Sequence, residues 1–197
     1  MTTTSHDIVA VKAAFRADMK ARRSAMPAGQ RSDGAMAVAA LGLGWLGTPP
    51  GTVVSGFLSF GDEINTMPLL RRLAEAGYDL CLPVMQGKAK PLLFRRWRPG
   101  DAMDTAVWGI REPKATQPEL QPSVLLVPLL AYDRSGLRLG YGGGFYDRTI
   151  HGLRKAAAVT TVGLAFAEQE VDAVPHLDYD EHLDWILTPA GPIRACR

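Results

Sequence analysis

Residues 52–84 read as strand, helix and strand within about 30 residues, the size of a βαβ unit, and this unit constrains the chain more than any other feature. TVVSGFL (52–58) has the composition of a strand. Asn65-Thr66 resembles a helix N-cap, and Pro68 is tolerated in a first turn. Leu69, Leu70, Leu73 and Ala74 line one side, and Gly77 is a stop signal. DLCLPV (79–84) is a second, short buried strand. Strands joined in this way pair in parallel.

The alternation continues. LLFRRW (92–97), SVLLVPLL (123–130), AVTTVGLA (158–165) and LDWILT (183–188) are further strand candidates; 123–130 is the most strand-like of all. Helices are predicted over 7–24, 28–43 and 145–153. Residues 98–122 hold four prolines and two glycines and read mostly as loop. The expected class is α/β with a mainly parallel sheet. No linker or repeat divides the 197 residues, so one domain over 1–197 is expected.

Net charge is +2, from 22 Lys+Arg against 20 Asp+Glu, too balanced for a protein that coats nucleic acid or an acidic membrane. The charge is unevenly spread: residues 1–34 carry six basic and three acidic side chains, residues 165–197 two basic and seven acidic. Two such ends could face one site holding a polyanion and a divalent cation, or be two solvated faces. The two cysteines, Cys81 and Cys196, form no metal-ligand or disulfide pattern, and His6, His151, His176 and His182 show no ligand spacing. MTTTSHDIVAVK has no signal-peptide pattern, and the uncharged stretch from Asp33 to Asp62 is broken by Gly and Pro. A cytoplasmic protein without membrane contact is expected.

In the helix predicted over 7–24, Ile8, Val11, Phe15 and Met19 recur at the helical period, and Lys12, Arg16, Lys20 and Arg23 form a second stripe. Lys12 and Arg16 project from one face. Such a stripe is either a solvated face or a surface for an anion.

The segment Val127–Arg148, VPLLAYDRSGLRLGYGGGFYDR, is the richest in chemical signals. A strand runs into a loop in which four of the five residues 140–144 are glycine, and the loop runs into a helix. Glycine lets backbone N–H groups approach a ligand closely. A helix N-terminus favours an anion, and ligands of open α/β sheets bind beyond the carboxyl ends of the strands. These features together predict a phosphate site. No GxxxxGK[ST] string occurs, and Phe145 replaces the third glycine of a GxGxxG fingerprint that starts at Gly140. Arg138 is placed to clamp phosphate oxygens. Asp147, in the first helical turn, is either a capping residue or a carboxylate that shares a cation with the phosphate.

The run Arg138-Leu139-Gly140-Tyr141-Gly142-Gly143-Gly144-Phe145-Tyr146-Asp147 closely resembles the signature of the 5-formyltetrahydrofolate cyclo-ligases, RLGxGxGYYD after a strand ending in VPG. This chain has VPL at 127–129 and Phe145 for the first tyrosine. Lys12-Ala13-Ala14-Phe15-Arg16 resembles the family's KxxLR element, and Phe57-Leu58-Ser59 with Asp62-Glu63-Ile64 its FLS…(D)E(I/V) element. Gly109-Ile110 with Glu112-Pro113, then Val162-Gly163-Leu164 with Phe166 and Gln169, then Asp180 and Asp184 before Ile186-Leu187-Thr188, follow in the family order.

The resemblance implies a single three-layer α/β/α domain acting as a monomer. It implies an enzyme that uses ATP as co-substrate and Mg²⁺ to cyclise 5-formyltetrahydrofolate to 5,10-methenyltetrahydrofolate, releasing ADP and phosphate. The ATP residues would be Lys12, Arg16, Arg138, Leu139, Gly140, Tyr141, Gly142, Gly143, Gly144, Phe145 and Tyr146. The reduced folate would meet Leu58, Glu63, Tyr141 and residues 142–145, with Phe57, Phe60 or Tyr141 as a stacking face. Asp147 and Asp180 would be the metal carboxylates. No side-chain nucleophile is implied, and Arg138 and Tyr146 would support catalysis. The alternatives are a catalytically silent folate- or nucleotide-binding relative and, less compatible with the near-neutral charge, an RNA-binding protein.

Overall fold

A computed structural model describes residues 5–106 and 109–196, with side chains from Ile8 onward. Met1–Thr4 of the segment read for a targeting signal, and Val107 and Trp108 of the stretch read as loop, lie outside the described residues, as does the side chain of His6.

The continuous apolar runs form a seven-stranded sheet. In chain order its strands are β1 (Val53–Ser55), β2 (Asp79–Met85), β3 (Leu92–Arg96), β6 (Val124–Pro128), β9 (Thr160–Leu164), β10 (Trp185–Thr188) and β11 (Gly191–Arg194). The spatial order is β11-β10-β9-β6-β1-β2-β3. The central strands from β10 to β2 are parallel, while both edges, β3 and β11, are antiparallel to their neighbours. Two small hairpins lie outside the sheet: β4 (Met103–Thr105) with β5 (Arg111–Pro113), and β7 (Ala131–Tyr132) with β8 (Arg138–Leu139).

Successive side chains leave opposite faces of a sheet, and both faces are covered, so neighbouring residues of one strand enter different cores. Val54, Leu80, Leu126, Val162 and Leu187 face the core under α2 (Ala28–Leu41) and α3 (Met67–Glu75). Cys81, Leu125, Val127 and Ile186 face Ile150 of α4 (Phe145–Ala156). The expected three layers are therefore present. Leu125, Leu126 and Val127 are wholly buried, each worth roughly 1.5–3 kcal/mol relative to exposure. Burial also pushes the Cys81 thiol up to about 12, which leaves it unreactive.

Several expectations change. The first strand ends at Ser55 rather than at residue 58, although Gly56 N–H still donates to Cys81 O at 2.9 Å; Gly56 lies so close to Leu70 that no Cβ would fit there. Thr66 does not cap α3; its hydroxyl donates to Phe57 O at 2.5 Å, and Asn65 Oδ1 accepts from Met67 N–H at 3.1 Å. The stretch 98–122 contains β4 and β5 in addition to loop.

In α1 (Ser5–Ala25) the two stripes divide differently from their sequence periods. Val11 is 51% exposed, whereas Lys12, Met19 and Arg23 are buried. The buried face takes members of both stripes because this helix packs Met19 on Leu130, Leu137, Leu139 and Val174, beside the β7–β8 hairpin, and not on the sheet. Among the described residues no helix is long and apolar enough to cross a membrane.

Candidate active site

The chain leaves β1 for β2 on one side and β6 for β9 on the other, although β1 and β6 are neighbours. That divergence is a topological switch point, where open parallel sheets form their ligand crevice. A cavity of about 1080 Å³ opens there. The segment after β1 supplies Phe57, Leu58, Phe60 and Glu63; the end of β6 supplies Pro128 and the segment after it Arg138 and the glycine loop; Lys12 and Arg16 enter from α1; and 177–181 closes one side. Leu139, buried in β8 and packed with Met19, does not line the cavity and acts as core beneath the loop.

The glycine loop is held at both ends. Arg16 Nε donates to Gly140 O at 2.9 Å, and Arg148 Nη2 donates to Gly143 O at 2.7 Å. Gly144 adopts φ +64°, a left-handed conformation that suits glycine, and from it the chain turns into the first turn of α4. The N-terminus of α4, with its partial positive charge, therefore meets the cavity.

The charged residues form two pairs rather than two separate sets. Lys12 Nζ donates to Asp180 Oδ2 at 2.5 Å, and Leu177 N–H donates to the same oxygen at 2.7 Å. Arg138 Nη2 donates to Asp147 Oδ1 at 2.7 Å, and Glu181 N–H donates to that oxygen at 3.1 Å. Arg138 Nη1 donates to Glu181 O at 2.5 Å. Opposite charges drawn into one partly desolvated cavity attract strongly, and sequence spacing gave no sign of these partners. Asp147 Oδ2 and Asp180 Oδ1 have no hydrogen-bond partner among the described residues. Asp147 is thus not a backbone cap of its own helix.

Glu181 was missed in the sequence. Its carboxylate binds Arg154 Nη1 at 2.7 Å and lies 3.0 Å from His151 Nδ1, and it ties 177–184 to α4. Asp184 reinforces this tie by accepting from Arg154 Nη2 at 3.2 Å, and it binds the segment to β9 by accepting from Thr161 N–H at 2.8 Å and from Thr161 Oγ1 at 2.7 Å. His176 Nδ1 lies 3.2 Å from Val174 O and His182 Nδ1 3.0 Å from Ser135 O.

The three aromatic stacking candidates separate. Phe57 is buried in the main core, Phe60 is 68% exposed, and Tyr141 lies at the rim. Glu63 is half-buried, and burial is the main cause of a carboxyl pKa raised above its ordinary value. The opposing contributions are hydrogen bonds from Tyr141 and from Phe60 N–H, and the nearby Arg23 charge. The phenols of Tyr141 and Tyr146 are also pushed up, first by burial and then by the Glu63 charge. Both remain protonated donors. The Tyr146 hydroxyl has no hydrogen-bond partner among the described residues and its side chain lines the cavity.

An α/β fold with a glycine loop, two cation–carboxylate pairs and a crevice at the switch point is the arrangement of a small-molecule site. Residues 8–189 match the profile of the 5-formyltetrahydrofolate cyclo-ligase family. The chain belongs to that family and is a ligase of it. It is 35% identical over 164 residues to the 5-formyltetrahydrofolate cyclo-ligase of Mycolicibacterium smegmatis, covering 78% of this chain and 83% of that one. It is 37% identical over 142 residues to the Escherichia coli K12 protein of the same name, covering 70% and 78%. The fold is similar to that of Aquifex aeolicus 5,10-methenyltetrahydrofolate synthetase, with a TM-score of 0.76 at 23% identity over 95% of this chain and 94% of the other.

Proposed function

We propose that the cavity binds ATP and 5-formyltetrahydrofolate side by side and joins them by phosphoryl transfer, closing the folate to 5,10-methenyltetrahydrofolate. The observation that carries this reading is the meeting, at one switch point, of the glycine loop with Lys12 and Arg16 on one hand and Glu63 on the other. A formamide carbonyl is a poor electrophile and its oxygen a poor leaving group. Attack of the formyl oxygen on the γ-phosphorus breaks the bond to ADP and leaves an iminium phosphate. The second folate nitrogen then adds to the activated carbon, loses its proton, and phosphate departs as the methenyl bridge forms.

This chemistry asks for positioning and charge neutralisation more than for a nucleophile. Backbone N–H groups of 140–144 and the α4 N-terminus face the phosphates. Lys12 and Arg16 supply positive charge, and buried Arg138 holds the loop to 177–181. Tyr146 offers a free hydroxyl to the transferring group or its carbonyl acceptor. Leu58 and the apolar wall of Leu82, Met85 and Leu92 seat the pterin and benzoyl rings. Glu63 accepts hydrogen bonds from the pterin edge.

Asp147 Oδ2 and Asp180 Oδ1 suit a hard cation. Among the described residues no cluster of three or more His, Cys, Asp or Glu is arranged for a metal. Two carboxylates with phosphate oxygens are nevertheless the usual holding set for Mg²⁺. When bound, Mg²⁺ supplies neutralisation of charge on the phosphoryl oxygens.

The test is an assay of the purified protein with ATP, Mg²⁺ and 5-formyltetrahydrofolate, following methenyl absorbance. No absorbance change with folded protein would overturn the reading. Lys12→Ala and Arg16→Ala should each raise the KM for ATP and leave that for folate nearly unchanged. A charge-assisted hydrogen bond is worth roughly 1.5–3 kcal/mol, about ten- to over a hundredfold in affinity. Wild-type ATP KM in both variants would remove α1 from the nucleotide site.

Glu63→Gln should raise the folate KM by a similar factor with little change for ATP, because an acceptor-only carboxylate becomes part donor. Its pKa shift adds a pH signature. A carboxyl raised by burial takes up its proton at a higher pH than an ordinary one, and the protonated form loses the acceptor. In wild type, folate kcat/KM should therefore fall on acidification at a pH above the ordinary carboxylate range. Glu63→Gln should lack that limb; an identical limb in the variant would assign it to another group.

A further inference from the structure

A three-residue relay reaches Glu63 from α1. Arg23 is buried, and its Nη2 donates to Tyr141 Oη at 2.9 Å. Tyr141 Oη in turn donates to Glu63 Oε1 at 2.5 Å. The direction of the chain is fixed by chemistry. A guanidinium only donates, so the Tyr141 oxygen accepts from Arg23 and directs its own proton to Glu63. Phe60 N–H donates to the other carboxylate oxygen, Oε2, at 2.8 Å. Each oxygen of Glu63 thus holds one donor from the protein. A carboxylate has about four lone-pair sites, so one remains on each oxygen. Two parallel acceptor sites match the paired N–H donors that a pterin presents from its ring nitrogen and 2-amino group.

Tyr141 is itself held in place. Arg23 Cζ lies 5.9 Å and Lys20 Nζ 5.4 Å from its ring centroid, within the range of a cation–π contact. Arg23 is anchored in turn, with Nη1 3.4 Å from Leu129 O. Its Nε is buried without a partner among the described residues. An unpartnered buried N–H is costly, and Arg23 retains it while presenting Nη2 to Tyr141. In the signature RLGxGxGYYD, Tyr141 occupies an unspecified position, so the family pattern does not account for its hydroxyl.

We propose that Arg23 and Tyr141 are positioning residues for the folate substrate: through the Tyr141 hydroxyl they hold the Glu63 carboxylate plane in the orientation that accepts the pterin edge. This rests on the assignment of Glu63 to the pterin. Neither residue touches the reacting atoms, so their effect falls on folate binding and passes entirely through Glu63.

Steady-state kinetics of the full chain with each substrate varied in turn tests this. Tyr141→Phe keeps the ring and removes the hydroxyl, which is both the donor to Glu63 and the acceptor for Arg23. It should raise the folate KM about tenfold, the scale of one hydrogen bond to a charged group, and leave the ATP KM near wild type. Arg23→Met keeps the length of the buried stem and should shift the folate KM in the same sense. In the double variant Tyr141→Phe/Glu63→Gln, the tyrosine change should add nothing to Glu63→Gln alone. A merely structural role would move both KM values together and would add to Glu63→Gln, and either outcome overturns the proposal. So does an unchanged folate KM in Tyr141→Phe beside a raised one in Glu63→Gln. An unchanged folate KM in Glu63→Gln instead overturns the assignment of Glu63 itself, so the two failures are distinct.

Discussion

Asp147→Asn is expected to fold and to turn over on the order of a hundred to a thousand times more slowly than wild type, the scale of about 3–4 kcal/mol for one strong electrostatic contact in the transition state. The structure explains why the fold should survive. Oδ1 of Asp147 accepts from Arg138 Nη2 and from Glu181 N–H, and the Oδ1 of an amide can accept both. What disappears is the charge opposite an Arg138 side chain that is only 4% exposed. The stability cost should be about 1–2 kcal/mol, the difference between charged and neutral hydrogen bonds. The outward oxygen is replaced by an NH₂ group that donates, where a hard cation needs a carboxylate oxygen. Circular dichroism and thermal melting check the fold; turnover across a Mg²⁺ titration checks the role. Partial rescue at high Mg²⁺ is expected. Near-normal turnover at low Mg²⁺ would take Asp147 out of the metal set and leave Asp180 alone in it.

Gly136→Ala should lower stability by roughly 3 kcal/mol, the upper range for a single change with a named steric cause. Gly136 closes the turn of the β7–β8 hairpin at φ +87°, where side chains other than hydrogen are strained. A Cβ there lies closer than 3.0 Å to the carbonyl oxygen of Leu183 and to Ala195 Cβ. Leu183 cannot retreat freely, because its N–H donates to Gly136 O at 2.8 Å and its side chain is in the core. For a domain of this size the expected fall in Tm is on the order of 6–12 °C. The loss should extend to activity at temperatures where the chain is still folded, since Arg138 follows two residues later and Asp180 lies on the segment that Leu183 anchors. A differential scanning melt within about 2 °C of wild type would mean that 183–184 relaxes away without strain.

The sheet was legible because its strands are continuous apolar runs, and the first βαβ unit was legible because Leu69, Leu70 and Leu73 share one helical side. The β7–β8 and β4–β5 hairpins were not. Their strands are two or three residues long, too short for any period to register. The last edge strand, Gly191–Arg194, contains Gly and Pro, which mask an antiparallel edge. In the site, every residue named from the signature except Leu139 lines one cavity with Lys12, Arg16, Leu58, Glu63 and Asp180. The pairings within it were hidden. Lys12 and Asp180 are 168 residues apart, and nothing local in either segment encodes the other. Arg23 sat in the basic stripe without a role, although its spacing from Lys12 and Arg16 put it on the same side of the helix.

The packing of α1 has an energetic consequence. The helix carries Lys12, Arg16 and Arg23 to the closing segment, the glycine loop and, through Tyr141, the Glu63 carboxylate, yet its buried face rests mainly on the small cluster around Met19 and Leu139 rather than on the sheet. Regions with few core contacts open at a smaller free energy than the whole molecule. Fraying of this one helix would take Lys12 and Arg16 from the crevice and Arg23 from Tyr141 while every sheet strand stayed paired. With ATP in the crevice as proposed, the protein would lose its hold on the nucleotide well before it loses its fold, and a substrate that bridges the crevice would stabilise the least secure part of the chain.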